Sequence, residues 1–163
     1  MASRTAWTAG NGQGLTYGTL INSADLVSMA NANTVLSSVA DIANGTFLDM
    51  FMDISFSFAI SSSTIVAGAN IAFWIELLNQ DGSTYGDGQL APGTPAAKTP
   101  SPAPDGTFPL FAAASQTTLV GTVRRLELPP ASFRVAAQNN SGFTFTAGTQ
   151  ACKFRTYNLN LNN

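Results

Sequence analysis

Leu48-Asp49-Met50-Phe51-Met52-Asp53-Ile54-Ser55-Phe56-Ser57-Phe58-Ala59-Ile60 decides the fold class of this chain. Leu48, Met50, Met52, Ile54, Phe56, Phe58 and Ile60 are apolar at every second position, while Asp49, Asp53, Ser55 and Ser57 fall between them. A period of two places the two sets on opposite faces of a β-strand, one toward a core and one away from it. Asn44-Gly45 just upstream is a strong turn signal, so the strand is expected from Thr46 to Ile60, with Ser61-Ser62-Ser63 breaking it.

The pattern recurs on both sides. Ala69, Ile71, Phe73, Ile75 and Leu77 alternate with Asn70, Ala72, Trp74, Glu76 and Leu78, a second strand whose other face is mixed. Such a face is expected at a subunit contact or beneath a covering loop. Thr34 to Ile42, Phe108 to Phe111, Thr117 to Leu128, Phe133 to Gln138, Phe143 to Phe145 and Phe154 to Leu161 also read as strands. Pro129-Pro130 and Asn139-Asn140-Ser141-Gly142 punctuate them. Arg155, Tyr157, Leu159 and Leu161 share one face of the last strand. The only helical signal is a short turn from Asn22 to about Ala30. Seven or eight strands without a substantial helix imply an all-β, antiparallel β-sandwich, with long unequal strands favouring a jelly roll.

Two segments stand apart from this pattern. Residues 1–22, with Gly10, Gly12, Gly14 and Gly18, read as a flexible N-terminal arm carrying a short strand from Leu15 to Leu20. Within the remaining domain, 23–163, a surface insertion at 89–106 holds Pro92, Pro95, Pro100, Pro102 and Pro104, a density that bars it from a central strand.

Composition narrows the chemistry. The chain has 163 residues, enough for one domain with its own core, and is 45% hydrophobic. Only 10% is charged, against about 25% in ordinary soluble domains. A net charge of −2 resists association weakly, which favours a part of a larger assembly. Seven cationic residues are scattered, with only Arg124-Arg125 adjacent, so a nucleic-acid surface is not expected. The N-terminal residues lack the apolar run of a signal peptide, and the most apolar window, Phe58 to Leu78, is too interrupted for a membrane span.

No histidine is present, which removes the Ser-His-Asp triad and every histidine metal site. Cys152, the single cysteine, has no partner for an internal disulfide and no histidine to activate it. Synthesis in a reducing compartment is therefore the simpler expectation. Asp49 and Asp53 stand about 13 Å apart at strand rise, too far for paired glycosidase carboxylates, unless either meets Glu76 across a sheet. Asp81, Ser83 and Asp87, in Asp81-Gly-Ser-Thr-Tyr-Gly-Asp-Gly88, supply oxygen ligands suited to calcium, without the spacing of the helix-loop-helix calcium site. Trp7, Trp74, Tyr85 and Tyr157 are the candidates for a carbohydrate platform, and Trp7, Trp74, Leu78 and Tyr85 for an interface.

Phe47-Leu48-Asp49-Met50 with the strand that follows, Ala67-Gly-Ala-Asn-Ile-Ala-Phe-Trp74, Leu78-Asn-Gln-Asp-Gly-Ser-Thr-Tyr-Gly-Asp-Gly88, Leu128-Pro-Pro130, Gln138-Asn-Asn-Ser-Gly142 and Arg155-Thr-Tyr-Asn158 form a set of strand-and-turn phrases. Together they resemble small structural proteins of tailed bacteriophages. The similarity spans most of Ala43 to Asn158 but includes no catalytic signature, and the proline-rich excursion does not join it. The resemblance implies a noncatalytic virion protein, assembled in the host cytoplasm. It would decorate or cement the outer capsid surface by binding the major capsid protein, as a homotrimer. No cofactor, nucleic acid or membrane partner is implied. The alternative expectation is a glycan-binding tail or surface module.

Overall fold

The computed structural model describes residues 4–9 and 16–162. It is an all-β protein of two antiparallel sheets. The first sheet contains β1 (Arg4–Ala9), β2 (Gly18–Ile21), β5 (Phe51–Ile65), β8 (Ala113–Glu127) and β10 (Ala151–Asn162). Its order is β1-β10-β5-β8, and β2 pairs beside β1 on the same strand, β10. The second contains β3 (Thr34–Leu36), β4 (Ile42–Ala43), β6 (Asn70–Leu77), β7 (Gly106–Pro109) and β9 (Ser132–Asn140), in the order β3-β9-β6-β7 with β4 also on β9. Two single helical turns, α1 (Ser23–Leu26) and α2 (Asn44–Phe47), lie between strands.

The alternation read from the sequence builds the core between these sheets. Met52, Ile54, Phe56, Phe58 and Ile60 of β5 are buried together with Ile71 and Phe73 of β6 and Phe133 and Val135 of β9. The Phe56 ring stacks on Phe58 at 4.9 Å, meets Phe108 edge-on at 5.3 Å and lies 5.9 Å from Phe73. These contacts close the core from both sides, each aromatic pair adding about 0.5–1.5 kcal/mol beyond its burial. Gly121 of β8 is required here. A Cβ at that position would stand 2.6 Å from Phe56 and 2.7 Å from Phe108, so the strand approaches the rings only without a side chain.

Several boundaries differ from the sequence expectation. The long strand begins at Phe51, not Thr46, because Asn44 folds 44–47 into a helical turn instead of a hairpin. The buried Asn44 amide donates to the carbonyls of Asp49 and Pro129, and its Oδ1 accepts the Asp49 N–H. Leu48 then takes a left-handed φ of 53°, and Leu48 and Met50 are exposed instead of buried. At the far end the serines do not break β5, which runs to Ile65. Backbone pairing with β8 continues there through two irregularities in register.

Thr34 to Ile42 divides into β3 and β4 because Ser37 and Ser38 turn the chain between them. The Ser37 hydroxyl donates to the Leu20 carbonyl and accepts the Val39 N–H, and Asp25 accepts the Ser38 N–H. The segment at Phe143 to Phe145 is reduced to an isolated bridge between Phe145 and Ile60. Within the expected arm, Arg4–Ala9 pairs along Asn162 to Tyr157 of β10, and a short strand runs over Gly18–Ile21; Leu15, Gly10, Gly12 and Gly14 lie outside the described residues. Ten strands therefore lie among the described residues.

The proline-rich segment lies over the outer face of the second sheet. Thr34 and Ala96 exchange backbone bonds at 2.8 and 2.9 Å, and Gly93 N–H donates to the Leu36 carbonyl. These contacts fall on β3, an edge strand, where a partner lacking some N–H groups is tolerated. Leu90 and Tyr85 pack with Leu36, Ala72, Trp74 and Ala136 into a second, smaller cluster beneath the cover.

Candidate functional site

The Asp81–Gly88 loop uses its own oxygen atoms to shape its backbone. Asp81 Oδ1 accepts the N–H groups of Ser83 and Thr84, both at 2.9 Å, and Oδ2 accepts the Thr84 hydroxyl at 2.7 Å. Bonds from Thr84 and Ser83 hold the Asp81 carboxyl down at about 2. Asp87 accepts the N–H of Gln89 and both the N–H and hydroxyl of Ser101, which ties the loop to the proline-rich cover. The predicted ligand trio of Asp81, Ser83 and Asp87 is thus held in turn-forming hydrogen bonds. Among the described residues no group of three or more acidic, cysteine or histidine side chains is placed to hold a metal ion.

The aromatic candidates face inward. Trp74 is 2% exposed and donates its indole N–H to the Pro102 carbonyl at 2.9 Å. Tyr85 is buried under the cover and donates its hydroxyl to Asp41 at 2.6 Å. Tyr157 is buried on the first sheet, and the Trp7 side chain lies outside the described residues. The mixed β6 face that carries Trp74 and half-buried Leu78 is therefore covered by this chain's own loop. None of the described rings in the expected platform is laid open for sugar stacking or a neighbouring copy.

The carboxylates of the alternating strand serve separate networks. Asp53, on the outer face of β5, accepts four hydrogen bonds: from Arg125 N–H at 2.9 Å, Tyr157 hydroxyl at 2.9 Å, and Arg155 Nε and Nη2 at 3.1 and 2.8 Å. The Arg125 bond exists because β8 bulges opposite Asp53, putting Arg125 at a φ of 58°. Burial raises the Asp53 carboxyl, but the bonds from Arg125, Arg155 and Tyr157 outweigh it and hold it below its ordinary value. Burial, and then the bond to Asp53, pushes the Tyr157 hydroxyl up to about 12. Asp49 instead accepts Asn158 Nδ2 at 3.1 Å. Neither meets Glu76, which sits on β6 in the other sheet.

Among the buried acids of the described residues, Glu76 is the one with a buried carboxylate oxygen that lacks a hydrogen-bond partner. It is 5% exposed, its Oε1 has no hydrogen-bond partner, and a Cβ on Gly86 would overlap its carboxylate. Gly86, at a φ of 51°, is therefore fixed by both space and backbone conformation. Arg134 stands opposite Glu76 in the β6–β9 register but turns its guanidinium to Asp41, at 2.7 Å, and over the Tyr85 ring. Burial, reinforced by the nearby charges of Asp87 and Asp105, raises the Glu76 carboxyl.

A cleft of about 250 Å³ opens between the two sheets, beside β2 and β4. Its walls come from β2 and β10 on one side, β4 and β9 on the other, and the 37–41 connection with Phe47 and Asp49 at one end. Asp41 Oδ1 takes both bonds offered by Tyr85 and Arg134, whereas Oδ2 takes none among the described residues. Thr156 also lines the cleft; it is 2% exposed, and its hydroxyl has no hydrogen-bond partner. Sequence reasoning missed Asp41, Arg134 and Thr156, which lie on three separate segments with no spacing motif. No protein-family model, curated protein or solved structure matches this chain.

Proposed function

We propose that this chain is a jelly-roll β-sandwich serving as a noncatalytic virion structural protein of the tailed-bacteriophage type. Its role in this reading is to decorate or cement the outer capsid surface by binding major capsid protein subunits. The observation that carries the proposal is the strand order. With β1 and β4 set aside as additions on the same edges, the sheets run β2-β10-β5-β8 and β3-β9-β6-β7. The second strand pairs with the last, the fifth with the last and the eighth, and the chain crosses repeatedly between sheets. Two Greek keys folded together give this order, a fold used by viral capsid and lectin domains.

The step from that order to a virion is an analogy of fold, joined to the phage-like phrases between Ala43 and Asn158. Homotrimeric self-association belongs to the same proposal, supported by the low charge. It does not use the Trp74 and Leu78 face, which the cover occupies.

Mass spectrometry and cryo-electron microscopy of purified particles test the reading. The expected result is this protein in stoichiometric amount on the capsid, with sedimentation of the free protein showing a trimer. Absence from purified particles, or a location confined to the tail tip, would overturn the capsid role. A strictly monomeric protein both in solution and on the particle would overturn the trimer.

A further inference from the structure

We infer that copies of this chain associate face to back, the bare outer face of the first sheet on one copy seated on the proline-rich cover of the next. The inference rests on the self-association proposed above and names its interface. A three-fold ring needs two different patches on each chain, because one patch meeting itself builds only a two-fold dimer. The two sheets supply such a pair: the second is covered by its own chain, and the first is not.

On the first sheet, outward positions of β10, β5 and β8 lie in register as Ala151–Ser57–Val120 and Lys153–Ser55–Thr122. Val120 is 66% exposed and Lys153 is exposed, and the small side chains between them leave the face flat. An antiparallel sheet can keep such a face in water; charge is what gives this one a partner. The β8 bulge opposite Asp53 brings Arg124 and Arg125 toward Arg155 of β10. Arg155 is taken by Asp53, whereas Arg124, Arg125 and Lys153 are exposed and form no ion pair among the described residues. Glu127 is the one exposed acid on the strands of this sheet.

The cover carries the opposite sign. Asp87 and Asp105 are exposed, and both lie close enough to Glu76 to act on its charge. Asp87 holds Ser101 of the cover, and Asp105 accepts the Ile75 N–H at 2.6 Å. Asp81 is exposed on the same loop as Asp87. Against these three carboxylates stands one exposed cation, Lys98, since Arg134 lies half-buried in its pair with Asp41. The whole chain, at a net charge of −2, barely repels a copy of itself, while its two faces attract. Trp74 and Leu78 stay beneath the cover, which meets the neighbour with its outer surface.

The test is sedimentation of the full-length protein over a wide concentration range, at low and at high salt, with charge-reversed variants. Lys153→Glu with Arg124→Glu reverses the sheet face at exposed positions. Gln89→Lys with Ala103→Lys, also exposed, reverses the cover and leaves the backbone bonds to Asp87 and Asp105 in place. Wild-type association should weaken in salt. Each pair of changes should weaken it about tenfold or more at low salt, and the chain carrying all four should recover most of the loss, because opposite charges meet again. Should the four-change chain not fold by circular dichroism, an equimolar mixture of the two paired variants decides, and it should associate where neither does alone. The inference is overturned if the wild type is monomeric at every concentration, if either pair leaves association unchanged, or if neither the four-change chain nor the mixture recovers it. It is also overturned if the sheet-face pair only lowers retention on particles, which would make the occupant an acidic surface of another protein. Absence from purified particles removes the virion role and leaves this interface standing; a chain present on particles that fails these tests loses the interface alone.

Discussion

Replacing Glu76 by Gln should stabilise the protein at neutral pH and leave it unchanged in acid. The carboxylate is 5% exposed, lacks a partner at Oε1, and is pushed toward protonation by its burial and by Asp87 and Asp105. Its folded-state value lies above the ordinary 4.5, so the native protein holds this proton more tightly than the unfolded chain. Stability linked to Glu76 is therefore complete below about pH 4.5 and is lost as pH rises through the folded value. Within that window the loss approaches about 1.4 kcal/mol per pH unit.

Gln has the shape of the protonated acid and cannot ionise, so the variant escapes the loss. A gain on the order of 1 kcal/mol is expected at pH 7; it comes from removing the ionised form that burial, Asp87 and Asp105 disfavour, and not from satisfying Oε1, whose place the Gln amide oxygen keeps. For a chain of this length, about 1 kcal/mol corresponds to a rise in Tm of about 2–4 °C. Urea and thermal unfolding of both proteins at pH 4, 5.5, 7 and 8 measures it. Titration of carboxylates remote from Glu76 cancels in the difference between the two proteins, whereas Asp87 and Asp105, which are coupled to it, contribute to the same pH-dependent difference. A variant less stable at pH 7, or a difference that does not grow with pH, would refute the argument that Glu76 is an uncompensated buried acid.

Other perturbations address the remaining supports of the fold. Asp53→Asn should cost about 1.5–3 kcal/mol, the range for hydrogen bonds to a charged group, in urea unfolding at pH 7. Because the Asp53 carboxyl lies below its ordinary value of 3.8, its stabilisation is present above that pH and disappears as pH falls through the folded value. The difference between wild type and variant should therefore shrink in strong acid. Gly121→Ala should cost about 1–3 kcal/mol by overpacking Phe56 and Phe108, with aromatic near-ultraviolet dichroism reporting the disturbed rings. Cys152 is 1% exposed and its thiol is pushed up by burial, so it should resist a thiol reagent in the native protein and react at once in denaturant.

The alternating pattern determined the all-β class, the core face of Met52 to Ile60, and the inward residues of β6 and β9. These were legible because burial of one strand face depends on a period of two, a property carried by neighbouring residues alone. The proline density also placed 89–106 outside the central strands, since proline lacks the N–H that a ladder requires.

What the sequence left open was everything set by partners distant along the chain. Asn44-Gly45 reads as a hairpin turn, but Asn44 is held by Pro129, 85 residues away, and the strand start moves to Phe51. Trp74 looks like an interface ring until the Pro102 carbonyl closes over it. Asp41, Arg134 and Thr156 have no common motif, yet the pairing of β4 with β9 and of β2 with β10 brings them to the walls of one cleft. Strand order decides such meetings. It is fixed by the packing of two sheets against each other, a free energy that no local stretch of residues contains.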